Sequence, residues 1–106
     1  MVWRLECYVD GRGRNPVEEF IQRLPSGEQA VIRARIKFLA EAGSRAREPL
    51  SKSLGGGLFE LRTKLSRIFY CFKPGGVIVL LHGFTKKSQK TPHRELQMAL
   101  NRMKEV

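Results

Sequence analysis

Three lysines fall within five residues in the stretch FTKKSQKTP, at Lys86, Lys87 and Lys90, with no acid among them to balance the charge. The imbalance extends well beyond that stretch. From Leu61 to Arg94 the chain carries eight cations (Arg62, Lys64, Arg67, Lys73, Lys86, Lys87, Lys90 and Arg94) and neither Asp nor Glu. A segment of one sign suits a cationic face for a polyanion better than a uniformly solvated surface. It also restricts the chemistry. Metal-assisted nucleases need carboxylates to hold Mg²⁺, and this segment offers none. RNA can be cleaved without metal, because its own 2′-OH attacks the neighbouring phosphate. The protein then has to orient the chain, take a proton, stabilise the charged phosphorane and protonate the leaving oxygen. DNA lacks that internal nucleophile, so cations without carboxylates favour RNA as the cleaved polymer.

Four places in the sequence are expected to meet. Arg62 nears the end of one strand-like run and Arg67 begins the next, so a hairpin would bring them together. Lys86 and Lys87 end the last strand-like run. His93 and Arg94 open the final helix. Together they would form one concave basic surface. Arg62, Lys64, Lys86, Lys90 and Arg94 would contact the phosphate backbone, with a histidine or aromatic ring near the bases. His82, inside an apolar run, reads as a core histidine with its hydrogen bonds met. Tyr70 alternates with core residues and reads as packing, its hydroxyl at an edge. Cys7 and Cys71 also sit in apolar runs and read as buried free thiols of a reducing cytoplasm. With His82 and His93 they lack the number and spacing of a zinc site, so no metal and no cofactor is expected.

The 106 residues suffice for one modest core, so a single domain over 1–106 is expected. Apolar content is 42%, which argues against disorder, and the net charge of +10 points to a polyanionic partner. The N-terminal run MVWRLECYVDG turns polar too soon for a signal peptide, and no apolar stretch has membrane-spanning length.

The elements that must position these residues can be read in order. Val2–Val9 alternates as a first strand. Asn15-Pro16-Val17-Glu18 starts a helix that runs to about Leu24, with Asn15 as cap, Pro16 at the first helical position and Glu18 closing a capping box. Ser26 and Gln29 start a second helix, whose Ile32, Ile36, Leu39 and Gly43 share one face. Residues 44–57 read as a linker. Three strands follow, roughly Leu58–Thr63, Arg67–Lys73 and Val77–Phe84, the last two joined by the tight turn Pro74-Gly75-Gly76. In the first of these, Phe59 and Leu61 take the core face, and Leu58, Glu60 and Arg62 face a groove or solvent. Thr91-Pro92 caps a C-terminal helix with a stripe of Leu96, Ala99, Leu100 and Met103. The order β-α-α-β-β-β-α implies an α+β fold: a small, mostly antiparallel sheet of about four strands, the N-terminal helix pair packed on one face, and a C-terminal helix.

GGLFELRTKLSRIFYCF followed by GGVIVLLHGFTKKSQKTPHREL resembles the RelE/ParE toxin superfamily, and within it the phage-derived HigB-like branch of type II toxin–antitoxin systems. The resemblance covers nearly the whole chain. It implies a cytoplasmic, metal-independent endoribonuclease (an mRNA interferase) that cuts mRNA on the ribosome and so inhibits translation. It also implies neutralisation by a helix-turn-helix antitoxin, HigA-like, in a hetero-oligomer. By position, Arg67 matches a strand arginine on the scissile phosphate. Lys87, beside Lys86, matches a basic residue at the end of the last strand. His93 falls where some members place a tyrosine acting as general base or stacking on a base. Where RelE has two lysines, this chain has Leu58 and Glu60. Glu60 is then either a general base or a salt-bridge partner that positions Arg62 and Arg67. Two other functions fit the same fold: a ParE-like inhibitor of DNA gyrase, and an RNA-binding module without activity.

Overall fold

A computed structural model of the chain describes residues 2–106. Its framework follows from three turns. Gly75 and Gly76 both take positive φ, +88° and +75°, which lets Pro74-Gly75-Gly76 reverse the chain between β4 (Ser66–Lys73) and β5 (Val77–Thr85). Thr63 closes the next turn: its Oγ1 accepts from the Ser66 amide at 2.9 Å, and its own amide donates to the Ser66 carbonyl at 3.0 Å. This joins β3 (Leu58–Arg62) to β4. Gly55-Gly56-Gly57, all at positive φ, joins β3 to a further strand, β2 (Ser51–Gly55).

Among the described residues the sheet therefore has five strands, in the order β1-β5-β4-β3-β2, with β1 at Arg4–Cys7. Only the β1–β5 pair is parallel; the other pairs are antiparallel, as a mostly antiparallel sheet requires. The expected count was about four. The difference lies in 44–57, which is not a linker: it holds a short 3-10 turn at Gly43–Arg45 and then β2. Lys52 and Ser53 of β2 face solvent at the sheet edge, so the strand carries no apolar alternation to announce it.

Both faces of the sheet are covered. Helices α1 (Pro16–Gln22) and α2 (Ser26–Ala42) bury Val17, Ile21, Ile32 and Leu39 against Leu61, Ile68 and Ile78. Helix α3 (His93–Met103) seats Ala99, with Leu96, Leu100 and Met103, on Leu58, Phe69, Val79 and Leu81 of the opposite face. That corrects one expectation in part: Leu58 faces neither groove nor solvent but packs under α3, whereas Glu60, also 1% exposed, lines a groove on that side of β3.

The helix starts differ in detail. Asn15 caps α1 by accepting from the Glu18 amide at 3.0 Å, with Pro16 at the first helical position. The Glu18 carboxylate closes no capping box, because it pairs with Arg33 of α2 at 2.6 Å. Ser26 opens α2 but makes no cap; Gln29 instead reaches back to the Leu24 carbonyl at 2.8 Å. Gly43 takes φ +56° where α2 ends, and a Cβ there would collide with the Trp3 indole. Cys71 is buried and Cys7 half-buried, both free thiols, and burial pushes both pKa values up. No helix of the described residues is long and apolar enough to cross a membrane.

Candidate functional site

The antiparallel register of β3 and β4 pairs Arg62 with Arg67 and Glu60 with Phe69. Glu60 and Arg62 therefore lie on one side of β3, two residues apart, and Arg67 lies opposite. Glu60 is the hub. Its Oε1 accepts from Arg62 Nε at 2.9 Å and lies 3.8 Å from Arg67 Nε. Its Oε2 accepts from the Thr91 hydroxyl at 3.3 Å. A carboxylate this buried costs desolvation unless it is paired and hydrogen-bonded, and here two guanidinium groups and a hydroxyl meet that need.

Arg67 is 9% exposed. One terminal nitrogen donates to the Thr63 and Ser66 carbonyls, which holds the guanidinium in a fixed plane. Burial depresses the Arg67 pKa; Glu60 acts against this and Arg62 adds to it. The group stays charged at any working pH, but it is short of solvent and rigidly aimed, which suits an oxyanion better than a mobile surface cation does.

The end of β5 brings the lysines. The Lys86 amide donates to the Leu65 carbonyl at 2.8 Å, which ties the start of the Lys86–Thr91 loop to the β3–β4 turn. The Thr91–Glu60 bond ties its far end to β3. Between the ties is a hollow of about 120 Å³, lined by Arg62, Arg67, Lys86, Lys87 and Lys90, with Glu60 its single acid and Phe84 behind. Five cations around one carboxylate leave a strongly positive concavity, and phosphate is the anion whose size and charge it fits.

Six of the nine expected site residues thus line one hollow. Three do not. Lys64 lies in the β3–β4 turn beside Leu65, Val31 and Pro25, in a mainly apolar groove. His93 is exposed and lines a neighbouring hollow, which shares Ser88, Lys90, Thr91 and Pro92 with the first. Arg94 is exposed and lines neither. Thr91 is the residue that sequence reading assigned elsewhere: Pro92, not Thr91, stands at the N-cap of α3. His82 is satisfied on both nitrogens, its Nε2 at 2.6 Å from Glu95 and its Nδ1 accepting from Arg102 at 3.1 Å. The Tyr70 hydroxyl is not at an edge; it is buried on Ser51 Oγ.

With this geometry in place, the chain can be set beside known proteins. The profile of the family described as phage derived protein Gp49-like matches residues 19–104. No curated protein matches by sequence. Among solved structures, a mutant of E. coli toxin RelE in the free state superposes with a TM-score of 0.63 at 17% identity, covering 97% of this chain and 99% of that one. A chain of the toxin–antitoxin complex RelBE2 from Mycobacterium tuberculosis superposes with a TM-score of 0.58 at 17% identity, covering 81% of this chain and 100% of that one. At that identity the likeness is one of fold: an α+β sheet with helices placed as in RelE.

Proposed function

The chain belongs to the phage derived Gp49-like family and has the fold of the RelE toxins, and from that premise we propose that it is the toxin of a type II toxin–antitoxin pair. The proposed activity is metal-independent cleavage of mRNA on the ribosome. The observation that carries this reading is the hollow in which Arg62, Arg67, Lys86, Lys87 and Lys90 surround Glu60.

Arg67 and Lys87 hold the scissile phosphate, and Arg62, Lys86 and Lys90 hold its neighbours. The substrate 2′-OH attacks phosphorus, the bond to the 5′-oxygen breaks, and a 2′,3′-cyclic phosphate and a 5′-OH result. Fixed cations stabilise the extra charge of the phosphorane and need no rearrangement to do so. Glu60 is assigned as a positioning residue: it is buried and already accepts from Arg62 and Thr91. His93, across the loop from the hollow, is assigned both proton transfers, taking the proton from the 2′-OH and returning it to the leaving 5′-oxygen, which requires the substrate to span both hollows. The neutralising partner is a helix-turn-helix antitoxin, HigA-like, in a hetero-oligomer, and the site of action is the cytoplasm. Support for the partner comes from the family and from the similar structure solved as a toxin–antitoxin complex.

Primer extension on a defined mRNA in a purified translation system tests this, with Arg67→Ala as control. New 5′ ends that require both the ribosome and Arg67 are expected, and chelating free metal from the isolated protein beforehand should not change them. Intact mRNA alongside growth arrest would replace cleavage with gyrase inhibition. Intact mRNA without arrest would leave an RNA-binding module.

A further inference from the structure

On one flank of α2, apolar side chains stand in solvent. The face toward the sheet is taken by Ile32, Leu39 and Ala40. The opposite flank is closed against α1 by the pairing of Arg33 with Glu18. Val31 and Phe38 remain 48% and 40% exposed. With Gly27 and Ala34 they recur every three or four residues, so the four share the open flank. That is the spacing by which one helix packs along another, and the two small residues let a second backbone come close. Leu65, 43% exposed in the β3–β4 turn, meets Val31 across a groove of about 330 Å³ that Pro25, Gly27 and Thr63 also line. A Cβ at Gly27 would touch nothing, so the groove is open there.

The charges beside this strip are unbalanced. Arg35 lies on the same flank, between Val31 and Phe38 along the helix. It is half-buried, and its guanidinium donates to the Arg62 carbonyl at 2.5 Å. Lys64 is exposed and lines the groove. Neither has an ion-pair partner among the described residues. Glu28, in the first turn of α2, also lines the groove, which leaves two cations to one acid. A half-buried cation beside apolar side chains is stabilised by an incoming carboxylate. A second copy of the chain supplies none. A symmetric antiparallel pairing of this flank is centred midway between Val31 and Phe38, and it would set the two Arg35 side chains side by side in chains that each carry a charge of +10.

We propose that this face receives an amphipathic helix of the neutralising partner, its apolar stripe on Val31, Phe38 and Leu65 and its carboxylates beside Arg35 and Lys64. The inference rests on the toxin reading above for what carries the helix. The turn that walls the groove also holds phosphate-binding groups: the Thr63 carbonyl accepts from Arg67, and the Leu65 carbonyl from the Lys86 amide. A helix seated here bears on that turn from outside and leaves the hollow itself open.

The test pans displayed peptides of about 18 residues, apolar at every third or fourth position and random between, against the full chain. Enriched peptides should carry Asp and Glu beside the apolar stripe. Val31→Glu should weaken them roughly tenfold or more and Lys64→Glu several-fold, while Lys86→Ala with Lys87→Ala keeps the parental affinity. Benzoylphenylalanine in place of exposed Phe38 should crosslink to the same peptides, a readout that needs no loss of binding. Peptides that bind Val31→Glu as well as the parent, with no crosslink from that residue, would overturn the proposal. So would crosslinks joining two copies of the chain, or a loss of RNA affinity in Val31→Glu with the peptides unaffected. Growth assays separate this inference from the toxin reading. A partner selected from a genomic library because it relieves arrest by the parent chain should fail to relieve arrest by Val31→Glu. Full relief would remove this site and keep the toxin. Peptide binding at Val31 in a chain that arrests nothing would remove the toxin reading and keep the helix site.

Discussion

At the scale of single residues the site turns on Glu60 and Thr91. Glu60 is 1% exposed and holds Arg62 at 2.9 Å. Glu60→Gln keeps the shape and removes the charge that orients both arginines. The expected result is a raised KM for mRNA with a smaller change in kcat, and a loss of about 1–3 kcal/mol in denaturant unfolding from the weakened buried pairing. A general base would behave otherwise: kcat would drop by about 10²–10⁴ with KM retained, and that outcome would end the positioning assignment. Thr91 reports the same contact from the other side. Thr91→Val removes the hydroxyl that ties the lysine loop to Glu60, whereas Thr91→Ser keeps it. Single-turnover cleavage should fall several-fold in the valine variant and recover in the serine variant. Equal rates in both would mean the tie is idle. The arginines and lysines of this site were legible in the sequence because their excess over acids is a local fact. Thr91 was not. A threonine before proline reads as a helix cap, and its partner is 31 residues away. Lys64 was misplaced for a related reason: strand alternation stops at the β3–β4 turn and no longer says which way a side chain points.

At the scale of elements, α3 is pinned to β5 through His82. Its ring donates to Glu95 in the first turn of the helix and accepts from Arg102 in the last. Desolvation lowers the His82 pKa below its ordinary 6.5; Glu95 opposes the shift and Arg102 adds to it. The folded chain thus binds fewer protons than the unfolded chain as pH drops below that ordinary value. Stability from neutral His82 is complete above it and is lost as pH falls toward the depressed folded value. The melting temperature should decline on acidification from about pH 7 to 5, and His82→Gln should flatten that decline. Parallel pH curves for the two proteins would show that His82 does not couple protonation to folding. The residue's role as a satisfied histidine was legible, since an apolar run surrounds it, but its partners were not, since both come from a helix elsewhere in the chain. β2 was illegible for the opposite reason. Its pairing with β3 is made by backbone groups, and its exposed Lys52 and Ser53 leave no apolar signature. The turns at Pro74-Gly75-Gly76 and the stripes of α2 and α3 were readable because each follows from local conformational preference or from a period of 3.6.

At the scale of the whole molecule, the α+β class follows from the order of the elements, but the placement of Glu60 follows from the sheet being covered on both faces. A sheet covered on one face would have left that carboxylate in water, and its arginines would be ordinary edge cations. Covered on both, β3 presents a buried acid beside cations that it cannot all neutralise, and five of the chain's 20 lysines and arginines gather around it at one end of the sheet. That arrangement predicts how the protein binds. Phosphate contacts release counterions, so affinity for single-stranded RNA should fall linearly on a logarithmic salt axis, by about 0.7 in slope for each cation engaged. The paired substitution Lys86→Ala with Lys87→Ala should therefore reduce the slope by about 1.4 and weaken binding most at low salt. Lys104→Ala, on an exposed residue past the end of α3, should leave the slope unchanged. Fluorescence anisotropy over a salt series separates the possibilities. If both variants lower the slope alike, the charge acts as a diffuse field over the surface. If only the loop pair does, RNA is held at the hollow that Glu60, Arg62 and Arg67 build.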